Sequence, residues 1–374
     1  MIYKNFKDLK LSALGMGCMR LPLADGTDAN IDETKTAEMV AYAMEKGINY
    51  YDTAWGYHSG NSEIVMGNVL SKYPRENYYL ATKFPGYDLS NMGKVKEIFE
   101  KQLEKCKTNY FDFYLFHNVC EMNIDAYLDE SYQIHSYLME QKQKGKIKHL
   151  GFSAHGSYDV MKRFLEKYGK DMEFCQIQLN YIDYSFQDAK SKIELLKEYQ
   201  IPVWVMEPLR GGKLCKLSEE EVKPLKDFRN IDATEWAFRF LQTIPEVTMI
   251  LSGMSNLEQM KQNIATFETE KPLDKTEMQA LLSVADGMLT GKLPCTACHY
   301  CISHCPQQLD IPRLLELYNE HNFTGGGFIA PMVISTIPKE KQPSACIGCR
   351  SCEAVCPQQI KISEAMADFT AKLK

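Results

Sequence analysis

Short β-rich runs alternate with amphipathic helical stretches over roughly the first 270 residues, and the unit repeats eight times, which predicts an α/β chain closed into a (β/α)8 TIM barrel. A doubly wound sheet would alternate in the same way, but its dinucleotide turn is missing. Gly15-Met-Gly17 has no third glycine, and no Gly-x-Gly-x-x-Gly occurs elsewhere. After the eighth unit the pattern gives way to a cysteine-rich tail, which predicts a second domain. These shifts divide the chain into a barrel over residues 1–270, a linking helix over 271–292 and a tail over 293–374.

The elements follow in order. Lys4–Leu11 suits a hairpin closing the floor of the barrel, and Leu14–Met19 is the first apolar run. Asp32–Lys46 keeps helical period and ends at Gly47. Asn49–Thr53 is a strand and Ser62–Lys72 a helix. Tyr78–Thr82 is a strand, and Gly93–Thr108 is a helix with Val95, Ile98, Phe99, Leu103 and Cys106 on one face. Phe111–Phe116 is a strand before one long helix, Asp125–Lys144. His149–Ser153 leads to Tyr158–Tyr168, and Phe174–Leu179 leads to Ala189–Tyr199. Pro202–Met206 is the seventh strand. Asp232 caps Ala233–Leu241 with Glu235 in the capping-box position, and Val247–Leu251 precedes Asn256–Phe267. Glu277–Leu289 reads as the linking helix, Pro312–Glu320 as a helix of the tail, and Thr324–Phe328, with its three glycines, as a flexible linker.

Composition excludes several functions. The 43 basic against 49 acidic residues give a net charge of −6, with no basic run beyond the Lys142–Lys148 stretch, which argues against nucleic acid. The amino terminus lacks an apolar signal core, and no apolar run reaches membrane-spanning length, so a cytoplasmic protein with no membrane partner is expected. Eight of the 13 cysteines fall into two tail motifs; the others (Cys18, Cys106, Cys120, Cys175, Cys215) are scattered singly, as buried small hydrophobes are.

The two motifs are Cys295-Thr-Ala-Cys298-His-Tyr-Cys301-Ile-Ser-His-Cys305-Pro306 and Cys346-Ile-Gly-Cys349-Arg-Ser-Cys352-Glu-Ala-Val-Cys356-Pro357. Both follow C-x2-C-x2-C-x3-C-P, the spacing by which thiolates cage cubane iron–sulfur clusters. Three cysteines on a tight turn meet three corners of one cube, and the fourth ligates the other cluster. One quartet is therefore Cys295, Cys298, Cys301 and Cys356, and the other Cys346, Cys349, Cys352 and Cys305. Structural zinc uses two separated pairs, and a disulfide framework needs an oxidising compartment. The motifs even continue alike, Cys-Pro-Gln-Gln-Leu-Asp-Ile against Cys-Pro-Gln-Gln-Ile-Lys-Ile. The tail resembles a bacterial-type ferredoxin carrying two [4Fe–4S] clusters, and the forty residues between Cys305 and Cys346 point to the helix-rich variety. A ferredoxin-like, mostly helical domain is expected.

Catalytic groups of such barrels lie just past the carboxyl ends of the strands. Successive strands here end in Tyr51-Asp52, Thr82-Lys83 and Phe116-His117, and Tyr57 stands on the loop after Asp52. Together they form an acid-catalysis set. A free phenol has a pKa of about 10, some three units above neutrality, a deficit of about 4 kcal/mol. An ammonium at about 4 Å supplies that order of energy. Lys83 is placed to be that ammonium, Asp52 to hold it, and His117 to orient a carbonyl oxygen.

The text around these residues resembles the aldo-keto reductases: Tyr-Asp-Thr-Ala at Asp52, Ala-Thr-Lys83, Phe-Asp-Phe-Tyr-Leu-Phe-His117, Gly151-Phe-Ser153, Gln176-Ile-Gln, Glu207-Pro-Leu-Arg-Gly-Gly and Leu-Ser-Gly-Met-Ser-Asn-Leu-Glu-Gln-Met-Lys-Gln-Asn263. The resemblance implies catalytic roles for Asp52, Tyr57, Lys83 and His117. It implies contacts of Ser153 and Gln176 with a nicotinamide amide, of Leu209, Arg210, Gly211 and Lys213 with a pyrophosphate, and of Gln259 and Asn263 with the adenosine end, at a helix N-terminus suited to anions. The chain departs from the pattern at Ala154, where the family carries Asn, and at Met206, where an aromatic ring often stacks on the nicotinamide. Gly253 and Gln259 stand where NADPH-preferring members carry basic residues. NADPH, NADH and a flavin stay open as cofactors. A nicotinamide gives up two electrons as hydride, whereas a cubane moves one at a time. Three readings follow: a carbonyl reductase with auxiliary clusters, a flavin- or radical-based site exchanging electrons with an external ferredoxin-type partner, and a non-catalytic regulatory barrel.

Overall fold

The computed structural model describes residues 1–289, 291–295, 301–356 and 358–374. An antiparallel hairpin of β1 (Tyr3–Phe6) and β2 (Leu9–Ser12) comes first. Eight strands then run parallel: β3 (Leu14–Gly17), β4 (Tyr50–Asp52), β5 (Tyr79–Phe84), β6 (Phe111–Val119), β7 (Ile147–Ala154), β8 (Cys175–Gln178), β9 (Val203–Met206) and β10 (Val247–Gly253). They close as a barrel in the order β10-β3-β4-β5-β6-β7-β8-β9, with a helix after each strand.

The strands read as continuous apolar runs because helices cover their outer faces while side chains fill the inside. Alternate residues point inward. Tyr50, Ala81, Phe113, Leu115, Phe174, Trp204, Met249 and Leu251 form one buried core within the barrel. Phe6 of the hairpin enters from the floor, its ring 5.7 Å from Phe113 and 5.1 Å from Trp204. The hairpin thus plugs the barrel. Lys7 at its turn joins Lys142 and His149 on the carboxylate of Glu173. Gly151 of β7 is required by close approach, since a Cβ there would meet the carbonyl oxygen of Phe174 at 2.5 Å.

One expectation needs correction. Asp125–Lys144 is not one helix: Ile124–Leu128 and Ile134–Gln143 are separated by a tight turn at Glu130–Tyr132 and by Gln133 at φ 54°. The Asp129 side chain accepts from Ser131 N–H at 2.9 Å, and residues 129–133 are all exposed. With no apolar face to bury, local side-chain capping outcompetes the helix. The segment Thr324–Phe328 connects two helices as expected of a linker, with Gly325 at φ 68° capping helix Ile311–Thr324 before helix Ile329–Thr336 begins.

The chain divides into two compact units, Met1–Ala285 and Asp286–Lys374. The linking stretch forms helix Lys275–Met288, whose Leu281, Val284 and Ala285 are buried and whose Glu277 pairs with Arg229. In the second unit, helices Ile311–Thr324, Ile329–Thr336 and Ile362–Lys372 enclose a core including Leu314, Leu315, Val333, Met366 and Phe369. Its internal repeat folds alike twice. Gln308 and Gln359 both sit at φ 52°, their N–H groups bond back to Cys305 and Cys356, and Leu309/Ile311 and Ile360/Ile362 are buried at the start of a helix. Among the described residues no helix is long and apolar enough to cross a membrane.

Candidate active site

The inward series of five strands runs on into chemistry at the carboxyl end. Tyr50 is followed two residues on by Asp52, Ala81 by Lys83, Phe113 and Leu115 by His117, Phe174 by Gln176, and Trp204 by Met206. A period of two therefore delivers five polar or polarisable side chains to one mouth. At His117 the strand bulges: pairing of β6 with β7 is irregular between Phe116 and Val119, and Asn118 lies at φ 58°. Such bulges re-aim a side chain. The Tyr127 hydroxyl holds this one by donating to the His117 carbonyl at 2.7 Å.

Lys83 is fully buried. Its ammonium donates to Asp52 Oδ1 at 2.5 Å and to the Thr53 carbonyl at 2.8 Å, and reaches the Tyr57 phenol oxygen at 3.4 Å. Three donors meet three acceptors. Burial opposes the Lys83 charge, but Asp52 and Tyr57 outweigh it and raise its pKa, so it stays an ammonium. The Tyr57 phenol behaves otherwise than expected. Burial pushes its pKa up, and the pull of Lys83 offsets only part of that rise. Desolvation penalises the phenolate more than one ammonium favours it. Tyr57 is therefore a neutral phenol that keeps its proton, with a cation beside it ready for the phenolate. The Tyr57 and Tyr87 rings meet His117 edge-on, at 6.0 and 5.2 Å. Burial first, and then Lys83, hold the His117 imidazole far below its usual pKa, so it is neutral and carries one N–H.

Beside this set lies a cleft of about 550 Å³. Seven of the ten residues expected to contact a cofactor line it: Gln176, Met206, Leu209, Gly211, Gly253, Gln259 and Asn263. The other three do not. Ser153 is buried and accepts from Asn118 N–H at 2.8 Å, although it pairs in register with Gln176. The Arg210 guanidinium is buried against Asp183, at 3.1 Å, so a structural ion pair takes the charge expected on a pyrophosphate. Lys213 is exposed. Helix Leu257–Thr266 presents its N-terminus as expected, but Asn256 caps the Gln259 N–H at 2.9 Å and the Gln259 side chain accepts from Ser255 N–H at 2.8 Å.

One cleft residue was missed. Arg20, three residues past β3, lays its side chain along Gly253 and toward Gly211: a Cβ at Gly253 would meet its Cβ and Cγ at 3.2 Å, and one at Gly211 would lie 3.5 Å from its Nη2. It lines the cleft and has no ion pair among the described residues. Applying the strand-end rule to the first barrel strand would have found it. The fit to a nicotinamide dinucleotide is good. The Gln176 Oε1 and His117 Nδ1 atoms are buried without a hydrogen-bond partner among the described residues, and Arg20 offers a cation to phosphate.

In the second unit Cys305, Cys346, Cys349 and Cys352 share one small cavity walled by Leu309, Ile311, Ile362 and Met366. These are the four thiols that spacing assigns to one cluster, with the crossing Cys305 among them. Cys349 is exposed, and the Ser351 backbone and hydroxyl hold its thiol below the usual pKa, toward the ligating thiolate. Of the other quartet, Cys295, Cys301 and Cys356 pack on the same core. Cys298 lies outside the described residues.

The fold and site together are an eight-stranded parallel barrel with a Tyr, Lys, Asp and His set at its mouth. Residues 13–286 match the model of the aldo/keto reductase family, and residues 294–361 match that of a 4Fe-4S dicluster domain. The chain belongs to the aldo-keto reductase family and is an oxidoreductase. It is similar to an uncharacterised oxidoreductase of Bacillus subtilis, 28% identical over 315 residues that cover 74% of this chain and 93% of the relative. It is also similar to the NADH-specific methylglyoxal reductase of Escherichia coli, 25% identical with 69% and 90% covered. Among solved structures, the holo form of an aldo-keto reductase from Bacillus halodurans superposes with a TM-score of 0.63 at 27% identity, covering 76% of this chain and 96% of that one.

Proposed function

We propose that the barrel reduces an aldehyde or ketone with NADPH or NADH, using Tyr57 as the general acid, and that the tail holds two [4Fe–4S] clusters through the quartets named above. The observation that carries this reading is the buried Asp52–Lys83–Tyr57 chain beside neutral His117. A reduced nicotinamide, when bound, supplies a hydride to the carbonyl carbon. The protein's residues do the rest. Gln176 Oε1 is free to accept from a carboxamide, and Arg20 provides the positive charge that Gly253 lacks, because its stem occupies the space a side chain at 253 would need. His117 donates its N–H to the carbonyl oxygen and orients it. Tyr57 gives its proton to the developing alkoxide, and Lys83 stabilises the phenolate left behind. Asp52 keeps Lys83 charged and in place. Carbonyl, hydride and proton make the alcohol.

A second reading has support of its own. Cys349 of one quartet is exposed, which suits electron exchange between its cluster and an external ferredoxin-type carrier, with a flavin or substrate radical splitting the pair at the barrel. The test is anaerobic turnover of carbonyl substrates with NAD(P)H by wild type and Tyr57→Phe, together with an optical spectrum of the purified protein. Loss of turnover in Tyr57→Phe and no flavin absorbance support the first reading. Full turnover in Tyr57→Phe sinks it, and a stoichiometric flavin moves the assignment to the second.

A further inference from the structure

We propose that His58 is a positioning residue: it fastens the loop carrying Tyr57 to the segment carrying Arg20, so that the proton donor is held in register with the cofactor cleft. The inference rests on the reading of Tyr57 as the general acid. Three residues after Tyr57 lie in the left-handed region, His58 at φ 53°, Ser59 at φ 55° and Gly60 at φ 93°. Residues with side chains resist that conformation, so it persists only where the surroundings enforce it. Glycine would suit the backbone at position 58 better. A buried imidazole stands there instead, 4% exposed.

The ring ties to two residues, Leu21 and Asp28, and to Asp28 through both its carbonyl and its Oδ1, which lies 3.2 Å from Nδ1. Leu21 N–H donates to His58 Nε2 at 3.1 Å, and His58 Nδ1 lies 2.8 Å from the Asp28 carbonyl. A backbone N–H only donates, so Nε2 must accept, and Nδ1–H donates to the Asp28 carbonyl. Two further bonds run alongside: Asn61 Nδ2 donates to the Ala29 carbonyl at 2.9 Å and Ser62 Oγ to the Cys18 carbonyl at 3.0 Å. Leu21 adjoins Arg20, whose side chain lies in the cleft. The contact these ties control is the 3.4 Å separation of Tyr57 and Lys83, at the outer limit of a hydrogen bond, where a small displacement breaks it.

The test uses the full chain, reconstituted anaerobically, with NADPH or NADH and a panel of activated carbonyls that includes para-nitrobenzaldehyde and methylglyoxal. Wild type, Tyr57→Phe, His58→Gly, His58→Gln and His58→Asn are compared. In His58→Gly, kcat falls about tenfold while the KM for cofactor stays within about twofold. The Gln carboxamide reaches the Nε2 position and accepts from Leu21 N–H, so His58→Gln returns to within about threefold of wild type, ahead of His58→Asn. A wild-type kcat in His58→Gly, a loss confined to KM, or a His58→Gln variant no better than His58→Gly overturns the inference, and inactive Tyr57→Phe then leaves the proposed function standing. Full activity in Tyr57→Phe, or a wild type that turns over no carbonyl, removes both. If His58→Gly does not fold, His58→Gln against His58→Asn decides: equal rates overturn the role, and the order Gln above Asn upholds it.

Discussion

Replacing Lys83 by Met removes one charge while keeping the length of the side chain. With 3.4 Å between its nitrogen and the Tyr57 oxygen, a fully formed phenolate would gain about 5 kcal/mol from Lys83 at an effective dielectric constant of about 20. Proton transfer is only partly complete in the transition state; half a charge gives about 2.5 kcal/mol. The two figures bracket a fall in kcat of about 60-fold to about 4,000-fold. The substitution also leaves Asp52, 2% exposed, buried without its partner, at a cost of about 3–5 kcal/mol in stability. The double variant Asp52→Asn/Lys83→Met separates the effects, because it regains stability without regaining rate. Anaerobic steady-state reduction of an activated aldehyde measures the rate, and chemical denaturation the stability. The basic limb of the kcat profile should move to higher pH in Lys83→Met, since Lys83, which lowers the Tyr57 pKa against the rise caused by burial, is gone. A folded Lys83→Met with kcat within about fivefold of wild type would refute the electrostatic account.

Burial alone would raise the Glu173 carboxyl, but His149, Lys142 and Lys7 hold it at about 2, against an ordinary value of 4.5. A depressed carboxyl contributes stability above its unfolded value and loses it as pH falls from 4.5 toward 2; the full contribution is about 3 kcal/mol, and Glu173→Gln should flatten the acid limb of a denaturation series over that window. His155 adds to acid sensitivity at higher pH: burial, then Lys192, lowers its pKa to about 4, so stability is present above 6.5 and declines as pH falls toward 4. Arg20→Ala should weaken NAD(P)H binding by about 10- to 150-fold, the worth of one charge-assisted hydrogen bond, with kcat nearly unchanged, as read by fluorescence titration and saturation kinetics. Cys305→Ser should cost the cluster of Cys346, Cys349 and Cys352 and spare the other, leaving about half the iron after anaerobic reconstitution. Loss of all iron from an otherwise folded protein, or of none, would contradict the crossed pairing.

Much of the barrel was legible because its signals are local. Each strand is an apolar run with a break on either side, and Asp52, Lys83 and His117 stand out as polar ends of such runs. The two cysteine motifs of the 4Fe-4S dicluster domain were legible for the same reason, since their spacing is written within a dozen residues each. Residues whose roles depend on distant partners were not. Arg210 looked free for phosphate until folding placed Asp183 against it. Arg20 was within reach of the strand-end rule, but its place along Gly253 was not, and His58 gains meaning only beside Leu21 and Asp28. The break at Asp129 was in the text, as an Asp-x-Ser turn within a wholly polar stretch, but helical period on either side masked it. The rise in the Tyr57 pKa was out of reach, because it is set by burial, and burial is a property of the fold.

The central claim is that hydride passes directly to a carbonyl carbon while Tyr57 supplies the proton. Nicotinamide deuterated at its transferable position, given anaerobically with an aldehyde to the reconstituted protein, tests it at the atom that matters. One deuterium retained on the carbinol carbon of the alcohol is the result this account requires. Unlabelled alcohol, with the deuterium lost to water, would mean that the electrons travel through a carrier that exchanges with solvent, and the direct-transfer account would be wrong.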